Sequence, residues 1–573
     1  MRLLKIHRKK IRITFLVIFA IVILLLVRLV YVSVFNSEQL SLAAKALHER
    51  ERAIKAERGQ IISSDGVILA SNKAVCTISV VHAQITEPEK VVDVLSKELS
   101  MDTERVRKYV EKKSSMEIVK TNVDKEVGDI IREYKLSGVK VDEDSKRVYP
   151  YSHLASKVLG FTGGDNQGIV GLEVKYDSVL QGTNGSILTM TDASGQELSE
   201  PEIRKEPVPG KDLYLTLDYN IQSFCTQAAM KAYEAKNAKS VSIIVMNPKD
   251  GSIYAMVNYP EYDLNNPFEI ENEQELSEKD KMNLLNQKWR NGIINDTYEP
   301  GSTFKIITTA AGFEKGVLSE QDRYVCSGYT TVGGRRIRCH KTTGHGAQSL
   351  EETLLNSCNP GFINWGMRIG SDSFLDFMNR VGLLSKTGID LPGEASTIMH
   401  ARENIHELEL ATISFGQSFQ ITPLQLLRAV SAIINGGTLV TPHLAAGYSD
   451  AGGEQKYFTY ETQKNVVSLS TCNIMKKMLE NVVSIGGGSN CFIEGYSIGG
   501  KTATSEKLPR GNGKYISSFI GFAPADDPEV IAMCIIDEPE GVYYGGLIAA
   551  PVIREIFDNI FPYLGIMKGE NSG

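Results

Sequence analysis

The sequence predicts a mixed α/β protein made of one membrane-spanning helix, an elongated β-rich module and a larger domain of alternating strands and helices. Three observations support this prediction. Residues 13–35 form an almost continuous apolar run, residues 36–216 contain short β-like runs between turns marked by Gly, and residues 217–573 alternate between strand and helix patterns. A composition of 42% hydrophobic and 23% charged residues is typical of a folded chain.

The first 35 residues predict a single-pass membrane anchor. Residues 13–35 are long enough, as a helix, to cross a hydrocarbon core of ~30 Å. A cleaved signal peptide is the alternative, but the run is too long and no small-residue cleavage site follows it. Residues 1–12 carry six basic and no acidic side chains. The positive-inside rule therefore predicts a cytoplasmic tail at residues 1–12, an anchor in the cell membrane, and an extracellular location for the rest.

The charge of the remaining chain argues against nucleic-acid binding. The formal net charge is −7, and without the basic tail the chain has 56 Lys and Arg residues against 69 Asp and Glu residues. Contacts to phosphate backbones need clustered Lys and Arg. We therefore predict no nucleic-acid partner.

Two local patterns predict particular elements. Residues 41–59 have the composition of a charged helix suited to a stalk. The run "SIIVMNPKDGSIYAMV", residues 242–257, has two β-like halves around a Pro-Asp-Gly turn, which predicts a hairpin.

The segment "EPGSTFK" places Ser302 three residues before Lys305 at the predicted start of a helix. Residues i and i+3 share one face of a helix, so the two side chains are expected to be neighbours. A serine hydroxyl needs a base to become a good nucleophile, and a lysine can be that base when burial or a nearby cation destabilises its ammonium form. Alone, an S-x-x-K pattern is weak evidence, because any helix can contain it by chance.

Two later segments offer partners for this pair. In "NSCNP", Ser357 and Asn359 flank a cysteine and could present a hydroxyl and an amide to one cleft. In "IGGKTATSEK", one cation and two hydroxyls on a predicted open strand edge would suit a substrate carboxylate, while the main chain pairs with an extended peptide. These three groups are Lys501, Thr502 and Thr504.

The order S-x-x-K, S-x-N, K-T-x resembles that of the penicillin-recognising serine acyltransferases. The rest of the chain resembles the class B penicillin-binding proteins, and most of all the elongation-type or sporulation-type enzymes of Firmicutes, though without a C-terminal PASTA module. The segments that carry this resemblance are "RGQIISSDGVILA" (58–70), "RVYP" (147–150), "GLE" (171–173), "SFGQ" (414–417), "TPLQL" (422–426) and "YYGGLIAAPV" (543–552).

The resemblance implies a pedestal module similar to a dimerisation domain at residues 36–216 and a penicillin-binding transpeptidase fold, an antiparallel sheet flanked by helices, at residues 217–573. It implies D,D-transpeptidation, in which an acyl-enzyme formed from a D-Ala-D-Ala stem peptide is passed to an amine to crosslink peptidoglycan. It also implies covalent acylation by β-lactams, no cofactor for the chemistry, and a partner glycosyltransferase of the SEDS type within a cell-wall synthesis complex.

The resemblance also implies a role for each matching residue. Ser302 would be the nucleophile, Lys305 its base and Ser357 a proton relay, while Asn359 would hold the substrate backbone. The carboxylate would bind to Lys501, Thr502 and Thr504, and the oxyanion to the main-chain N–H groups of Ser302 and Thr504.

One position departs from the family pattern. Ala503 stands where K-T-G motifs have a glycine, which permits close approach of a backbone. We expect its methyl group to crowd the bound peptide strand and to alter affinity for bulky β-lactams more than it lowers activity.

Three cysteines lie close together in the sequence. A Gly333-Gly334 hairpin turn would place Val332 opposite Arg335 and Cys326 opposite Lys341, with Cys339 diagonal to Cys326 at roughly 7 Å. That separation is marginal for a disulfide but acceptable for thiolates around zinc. Some relatives carry zinc in this region, which implies a structural site; a disulfide and free thiols are the alternatives. The predicted ligands are Cys326, Cys339, His345 and Cys358, with His340 as a substitute.

Other conspicuous residues favour structural roles. Glu173 is expected to be structural, and Trp289 and Trp365 to pack in the interior. Five further cysteines occur in apolar or strand-like contexts and are predicted to be small core residues: Cys76, Cys225, Cys472, Cys491 and Cys534.

Two alternative functions follow from the same motifs. A hydrolytic β-lactamase or carboxypeptidase would share them, but the anchor and long N-terminal module argue against it, and no residue stands out as a base for a deacylating water. A non-enzymatic β-lactam sensor or a scaffold of a cell-wall synthesis complex is the other alternative, and Ala503 is the feature that favours it.

Overall fold

The computed structural model describes residues 2–36, 49–114, 116–190, 203–270, 276–450 and 452–569. These residues form two compact units. The first comprises residues 1–57, 73–146 and 183–209, and the second comprises residues 58–72, 147–182 and 210–573. The domain boundary between residues 216 and 217 stays a prediction. Residues 58–72 and 147–182, which precede it, belong to the same compact unit as Ser302.

The first unit begins with the helix Arg2–Val30, which continues as a wider turn over Tyr31–Phe35. Within the described residues this is the one helix long and apolar enough to cross a membrane, which fits single-pass anchoring. Part of the predicted stalk, residues 41–48, lies outside the described residues. The prediction of a helix is wrong for Glu49–Ile54, which is a strand paired with Gly185–Met190, because main-chain pairing there outweighs the helical preference of its charged residues.

The rest of the first unit packs short helices against antiparallel strands. Buried aliphatic residues such as Val91, Leu95 and Val106 form its core. Its helices are Pro88–Glu98, Thr103–Glu111 and Lys125–Glu133. Its remaining strands are Glu117–Asp124, Ile203–Lys205 and parts of Ile68–Val80 and Val139–Val148.

A five-stranded antiparallel sheet forms the centre of the second unit, as predicted. Its order is Ile253–Tyr259, Ser240–Met246, Val530–Asp537, Tyr515–Ala523 and Gly499–Glu506. The first two strands form the predicted hairpin. Gly499–Glu506, which carries Lys501, is an edge strand, so one side of its main chain is free to pair with a peptide.

Helices cover both faces of this sheet. Alternate residues of one strand enter opposite cores: Ile243 and Val245 lie in one and Ile244 and Met246 in the other. The helices on the first face are Tyr219–Lys236 and Ala550–Leu564. Those on the second are Lys305–Glu314, Pro423–Ile434 and Leu469–Ser484.

Smaller elements surround the second face. The helices are Ser156–Leu159, Gly171–Lys175, Asp177–Leu180, Glu278–Trp289, Gly292–Asn295, Leu350–Leu355, Asn359–Ile369, Ser371–Arg380 and Glu407–Ile413. The short helix Gly545–Ile548 instead packs on the first face. The strands are Ile61–Ile62, Asp212–Leu215, Arg323–Cys326, Tyr329–Val332, Arg335–Arg338, Gly346–Ser349, Ala445–Ser449 and Gln455–Tyr457.

A buried ion-pair cluster joins early segments of the chain within the second unit. Glu173 is fully buried, and its carboxylate accepts from Arg58 Nε at 2.6 Å and from Arg147 Nε at 2.8 Å. Tyr149 also donates to it, and Arg58 makes a second ion pair with Asp177. This arrangement agrees with the structural role expected for Glu173.

Candidate active site

Ser302 lies in a short 3₁₀ turn, Gly301–Phe304, that leads directly into the helix Lys305–Glu314. Side chains three residues apart eclipse in a 3₁₀ turn. Lys305 Nζ accordingly lies 3.1 Å from Ser302 Oγ, so the structure brings the two residues of the S-x-x-K motif into direct contact.

Two glycines let this turn pack tightly against its neighbours. Gly301 has φ of +57°, and a Cβ atom there would come within 2.3 Å of Ser505 Oγ. Gly301 N donates to Gly416 O at 2.9 Å, and a Cβ atom on Gly416 would lie 2.1 Å from Gly301 O. The "SFGQ" segment and the edge strand therefore fix the turn Gly301–Phe304 from two sides.

The loop with Ser357 and Asn359 connects the helices Leu350–Leu355 and Asn359–Ile369. Ser357 has a left-handed φ of +49°, which turns the chain sharply. Lys305 Nζ lies 2.7 Å from Ser357 O, 3.0 Å from Ser357 Oγ and 2.7 Å from Asn359 Oδ1. The second motif thus surrounds the amine of the first.

Lys305 Nζ therefore has four oxygen neighbours, counting Ser302 Oγ. An ammonium group has only three protons to donate, whereas a neutral amine has two protons and a lone pair. A neutral Lys305 can donate to Ser357 O and Asn359 Oδ1, which accept only, and can accept a proton from a serine hydroxyl. This set of neighbours suits a base.

Lys501 completes the arrangement from the edge strand. Its side chain is buried, and its Nζ lies 3.2 Å from Ser357 Oγ and 3.2 Å from Thr502 O. Ser357 Oγ consequently lies between the amines of Lys305 and Lys501. A hydroxyl in that position can accept a proton from one group and donate to another.

Burial controls the charge of both lysines. The pKa of Lys305 is held well below its ordinary value, first because the side chain is fully buried and second because the positive charge of Lys501 is nearby. Burial also lowers the pKa of Lys501, to about 7. The site therefore favours the neutral form of Lys305.

The two threonines lie on the other face of the edge strand from Lys501. Thr502 and Thr504 are half-buried. The residues Lys501, Ala503 and Ser505 are buried on the face that contacts the turn carrying Ser302. Thr504 Oγ1 accepts from Gly545 N at 2.9 Å. The methyl group of Ala503 points toward Gly301, rather than toward the face of Thr502 and Thr504, so the structure does not support the expected crowding on that face.

The cysteine cluster forms as predicted, although by a different chain path. The hairpin turn pairs Val332 with Arg335, which confirms that part of the register. The prediction that Cys326 faces Lys341 is wrong, because this hairpin ends at Tyr329 and Cys326 instead pairs with Gly346 in a separate two-stranded sheet.

The four predicted metal ligands nevertheless meet. The ligand atoms of Cys326, Cys339, His345 and Cys358 all lie within 4.8 Å of one another. None of the eight cysteines, all of which lie within the described residues, forms a disulfide. The Cys339 and Cys358 thiols share a hydrogen bond, which lowers the pKa of Cys339 and raises that of Cys358. The five remaining cysteines are buried, as predicted.

Sequence reasoning missed one pair that supports the site. Glu299, just before the turn that carries Ser302, is buried, accepts from Ser418 N at 2.8 Å and forms an ion pair with Arg510 at 2.5 Å. Arg510 follows the strand that carries Lys501. Glu299 stands within the "EPGSTFK" segment, but nothing in the sequence indicated which distant cation it would meet.

Family models match most of the chain. The penicillin-binding protein transpeptidase domain matches residues 241–558, and the penicillin-binding protein dimerisation domain matches residues 53–215. Stage V sporulation protein D of Bacillus subtilis (strain 168) is 38% identical over 573 residues, which covers 98% of this chain and 87% of that protein. A probable peptidoglycan D,D-transpeptidase PenA of Neisseria meningitidis is 28% identical over 528 residues, covering 90% of this chain and 86% of that one.

Solved structures show the same fold. A peptidoglycan synthetase from Bifidobacterium adolescentis has a TM-score of 0.74 at 22% identity, covering 92% of this chain and 98% of that chain. Penicillin-binding protein 2X from Streptococcus thermophilus has a TM-score of 0.73 at 20% identity, covering 91% and 83%. The chain belongs to the penicillin-binding protein transpeptidase family, as a class B member with a dimerisation domain. It is a peptidoglycan D,D-transpeptidase, a serine acyltransferase that crosslinks peptidoglycan.

Proposed function

We propose that Ser302 is the nucleophile of this transpeptidase and that neutral Lys305 is its general base. The observation that carries the proposal is the contact of 3.1 Å between the buried amine and the serine hydroxyl, with oxygens of Ser357 and Asn359 filling the other positions around that amine.

Acylation follows from this arrangement. Lys305 Nζ takes the proton of Ser302 Oγ as the oxygen bonds to the carbonyl carbon of the penultimate D-Ala of a stem peptide. The C–N bond to the terminal D-Ala then breaks, and Ser357 Oγ passes a proton to the leaving amine. An ester on Ser302 and free D-Ala result. The position of Ser357 Oγ, 3.0 Å from one lysine amine and 3.2 Å from the other, supports this relay.

Transfer repeats the same steps in reverse. The amine of a second stem peptide attacks the ester carbonyl and gives up a proton to the relay of Ser357 and Lys305. The ester C–O bond breaks, the new amide is the crosslink, and Ser302 regains its proton.

The edge strand supplies substrate recognition in this proposal. The hydroxyls of Thr502 and Thr504 bind the terminal carboxylate, and Lys501 attracts it by charge from the opposite face of the strand. Asn359 holds the peptide backbone. The Ser302 N–H is in the first turn of a helical segment and has no partner within it, which makes it a suitable oxyanion donor. Thr502 O accepts from the side chain of Lys501, which supports main-chain groups at Thr502 that point away from the sheet. Because this direction repeats every second residue of a strand, the N–H of Thr504 is expected to point the same way.

A fluorescent penicillin tests the nucleophile assignment. We expect covalent labelling of the full-length protein, and none in Ser302→Ala. Ser484→Ala, at the exposed end of a helix, is the matched control and should label like the unmodified protein. Labelling that persists in Ser302→Ala would show that the nucleophile lies elsewhere.

A β-lactam sensor or a non-catalytic scaffold is the alternative, and turnover separates it from the enzyme. A sensor would be acylated by penicillin without joining two stem peptides. The relay through Ser357 does not separate the two, because opening a β-lactam ring also leaves an amine to protonate. Incubation with uncrosslinked strands should yield crosslinked product, and acylation with no product would favour the sensor.

We further propose that Cys326, Cys339, His345 and Cys358 hold a structural zinc ion. In a tetrahedral site with Zn–S near ~2.3 Å, neighbouring ligand atoms are about 3.8 Å apart. The ligand atoms of these four residues lie within 4.8 Å of one another, which is close to that spacing. Three thiol sulfurs and one imidazole nitrogen suit zinc. The ion would link the segments that carry Cys326 and Cys339 to the loop between Ser357 and Asn359, and it would take no part in the chemistry.

Elemental analysis of the purified protein tests the metal. About one zinc per chain is expected, and Cys339→Ser should remove it, whereas Cys472→Ser, a buried cysteine outside the cluster, should not. A protein that lacks stoichiometric metal and melts at the same temperature with and without chelator would contradict the site.

The cellular setting is proposed on the sequence and the relatives. The basic residues 1–12 support a cytoplasmic N-terminus and an extracellular active site. To test this orientation, a cysteine is introduced after Phe35, and its reaction with a membrane-impermeant reagent is measured on intact cells. The match to Stage V sporulation protein D supports a sporulation-type or elongation-type role. We propose a SEDS-type glycosyltransferase as partner, to be tested by crosslinking in growing and sporulating cells.

A further inference from the structure

The hairpin formed by Tyr329–Val332 and Arg335–Arg338 has an unusual outer face. Cross-strand partners share a face of a sheet, so Tyr329, Thr331, Arg336 and Arg338 lie together on one side, and all four are exposed. The opposite face carries Val332 and Ile337, which pack against the main core. This outer face therefore presents two guanidinium groups and one aromatic ring to solvent.

The positive charge on this hairpin is not neutralised. Residues 323–350 contain no Asp or Glu. Among the described residues of the second unit, every exposed arginine outside residues 323–350 forms an ion pair. The described arginines within residues 323–350 form none. The unpaired set is Arg323, Arg335, Arg336 and Arg338. Such a cluster, on a chain whose body has excess negative charge, points to an anionic ligand.

One of the outer guanidinium groups is already held in place. The Arg336 guanidinium lies 3.6 Å from the centre of the Tyr329 ring, a stacked arrangement that fixes the plane of the group. A planar guanidinium presents two parallel N–H groups, which match the two oxygens of a carboxylate. Arg338 lies on the same face and offers a second such group.

The hairpin is next to the catalytic loop. Arg338 precedes Cys339, whose sulfur lies within 4.8 Å of that of Cys358, and Cys358 is flanked by Ser357 and Asn359. At 3.8 Å per residue, the Arg338 backbone is on the order of 10 Å from that loop. A peptide strand reaching the active site could therefore also contact the outer face of the hairpin.

We infer that this outer face binds carboxylates of uncrosslinked peptidoglycan stem peptides, outside the position that Lys501 serves. The inference rests on the proposed function, because it takes those strands as the substrate. A short carboxylate-bearing peptide is favoured over an anionic membrane. The negative charge of the rest of the chain repels an extended anionic surface, whereas a contact between one carboxylate and one guanidinium lies within the screening length of about 8 Å.

Strand binding to the penicillin-acylated, full-length protein tests this inference, because acylation blocks the active site. The probe is labelled uncrosslinked peptidoglycan strand, with its carboxylates free or amidated. Binding of free strands should weaken about tenfold or more in the double variant Arg336→Gln/Arg338→Gln, and it should depend less steeply on salt. Arg335→Gln removes one positive charge from the opposite face of the same hairpin and should change binding less than twofold.

Three results would overturn the inference. The double variant binds like Arg335→Gln; amidated strands bind the unmodified protein as tightly as free strands; or phosphatidylglycerol vesicles compete fully for the hairpin, which would assign it to a lipid surface. If the double variant misfolds, Arg336→Lys keeps the charge without the planar fork and should still weaken binding severalfold. A failure of penicillin to acylate the unmodified protein would contradict the proposed nucleophile instead.

Discussion

Replacing Glu173 by Gln should strongly destabilise the unit that carries Ser302, although the two side chains have nearly the same shape. The carboxylate is fully buried and neutralises Arg58 and Arg147 at 2.6 and 2.8 Å. Arg58 would keep Asp177, but Arg147 has no other ion-pair partner among the described residues, and its Nη2 already lacks a hydrogen-bond partner. Removing one partner of a buried pair costs about 3–5 kcal/mol, because a desolvated charge is left uncompensated.

The matched control is Asp177→Asn. The Asp177 side chain is 29% exposed, so water screens its ion pair with Arg58, and an amide oxygen can still accept from Gly168 N at 2.8 Å. The expected cost is about 1 kcal/mol or less. For a unit of this size, 1 kcal/mol corresponds to roughly 2 °C in melting temperature. Glu173→Gln should therefore lower Tm by about 6–10 °C, and Asp177→Asn by about 2 °C or less.

Thermal inactivation measures this difference. The full-length protein is heated in steps and then labelled with fluorescent penicillin, so that only the unit with the active site is reported. Equal melting temperatures for Glu173→Gln and the unmodified protein would instead show that the buried carboxylate contributes no net stabilisation to its two arginines.

The remaining predictions concern the active site. Lys305→Arg should lower the rate of penicillin acylation by ~10² or more, because a guanidinium stays protonated, and a rate within about threefold would exclude Lys305 as the base. For the free enzyme, the rate of acylation should fall as pH rises through about 7, because the buried Lys501 then loses the proton that attracts the carboxylate. Lys501→Arg should move that fall to higher pH. An unchanged pH profile in Lys501→Arg would contradict the role of Lys501 in binding the carboxylate. Chelation should lower both melting temperature and acylation if zinc is bound, and no change in either would contradict the metal. Ala503→Gly should change acylation by less than about threefold, since the methyl is buried beside Gly301; a larger change would restore the crowding hypothesis.

Short-range spacing in the sequence predicted the parts of the site that depend on local geometry. Ser302 and Lys305 are neighbours because three residues make one turn, and Val332 pairs with Arg335 because two glycines close the hairpin. The pairing of Cys326 could not be predicted, because it depends on where the hairpin ends and on a strand twenty residues later.

Long-range contacts could not be predicted from the sequence, because they too depend on how distant segments fold together. The sequence indicated that Lys501 belongs to the site, but only the fold shows that its amine reaches Ser357 Oγ, 144 residues earlier in the chain. Burial of Lys305, which lowers the pKa of its amine, depends on packing from several elements. The strand Glu49–Ile54 shows the opposite case, in which tertiary pairing overrides a helical composition.

In the proposed mechanism, Ser302 carries the peptidyl group between donor and acceptor. Mass spectrometry of the full-length protein, quenched during reaction with a D-Ala-D-Ala stem pentapeptide, detects that intermediate. We expect a peptidyl adduct, lacking the terminal D-Ala, on the fragment that contains Ser302. The adduct should disappear, and crosslinked product should form, when an amine acceptor is added. An adduct on another residue, or crosslinked product from Ser302→Ala, would show that Ser302 is not the carrier.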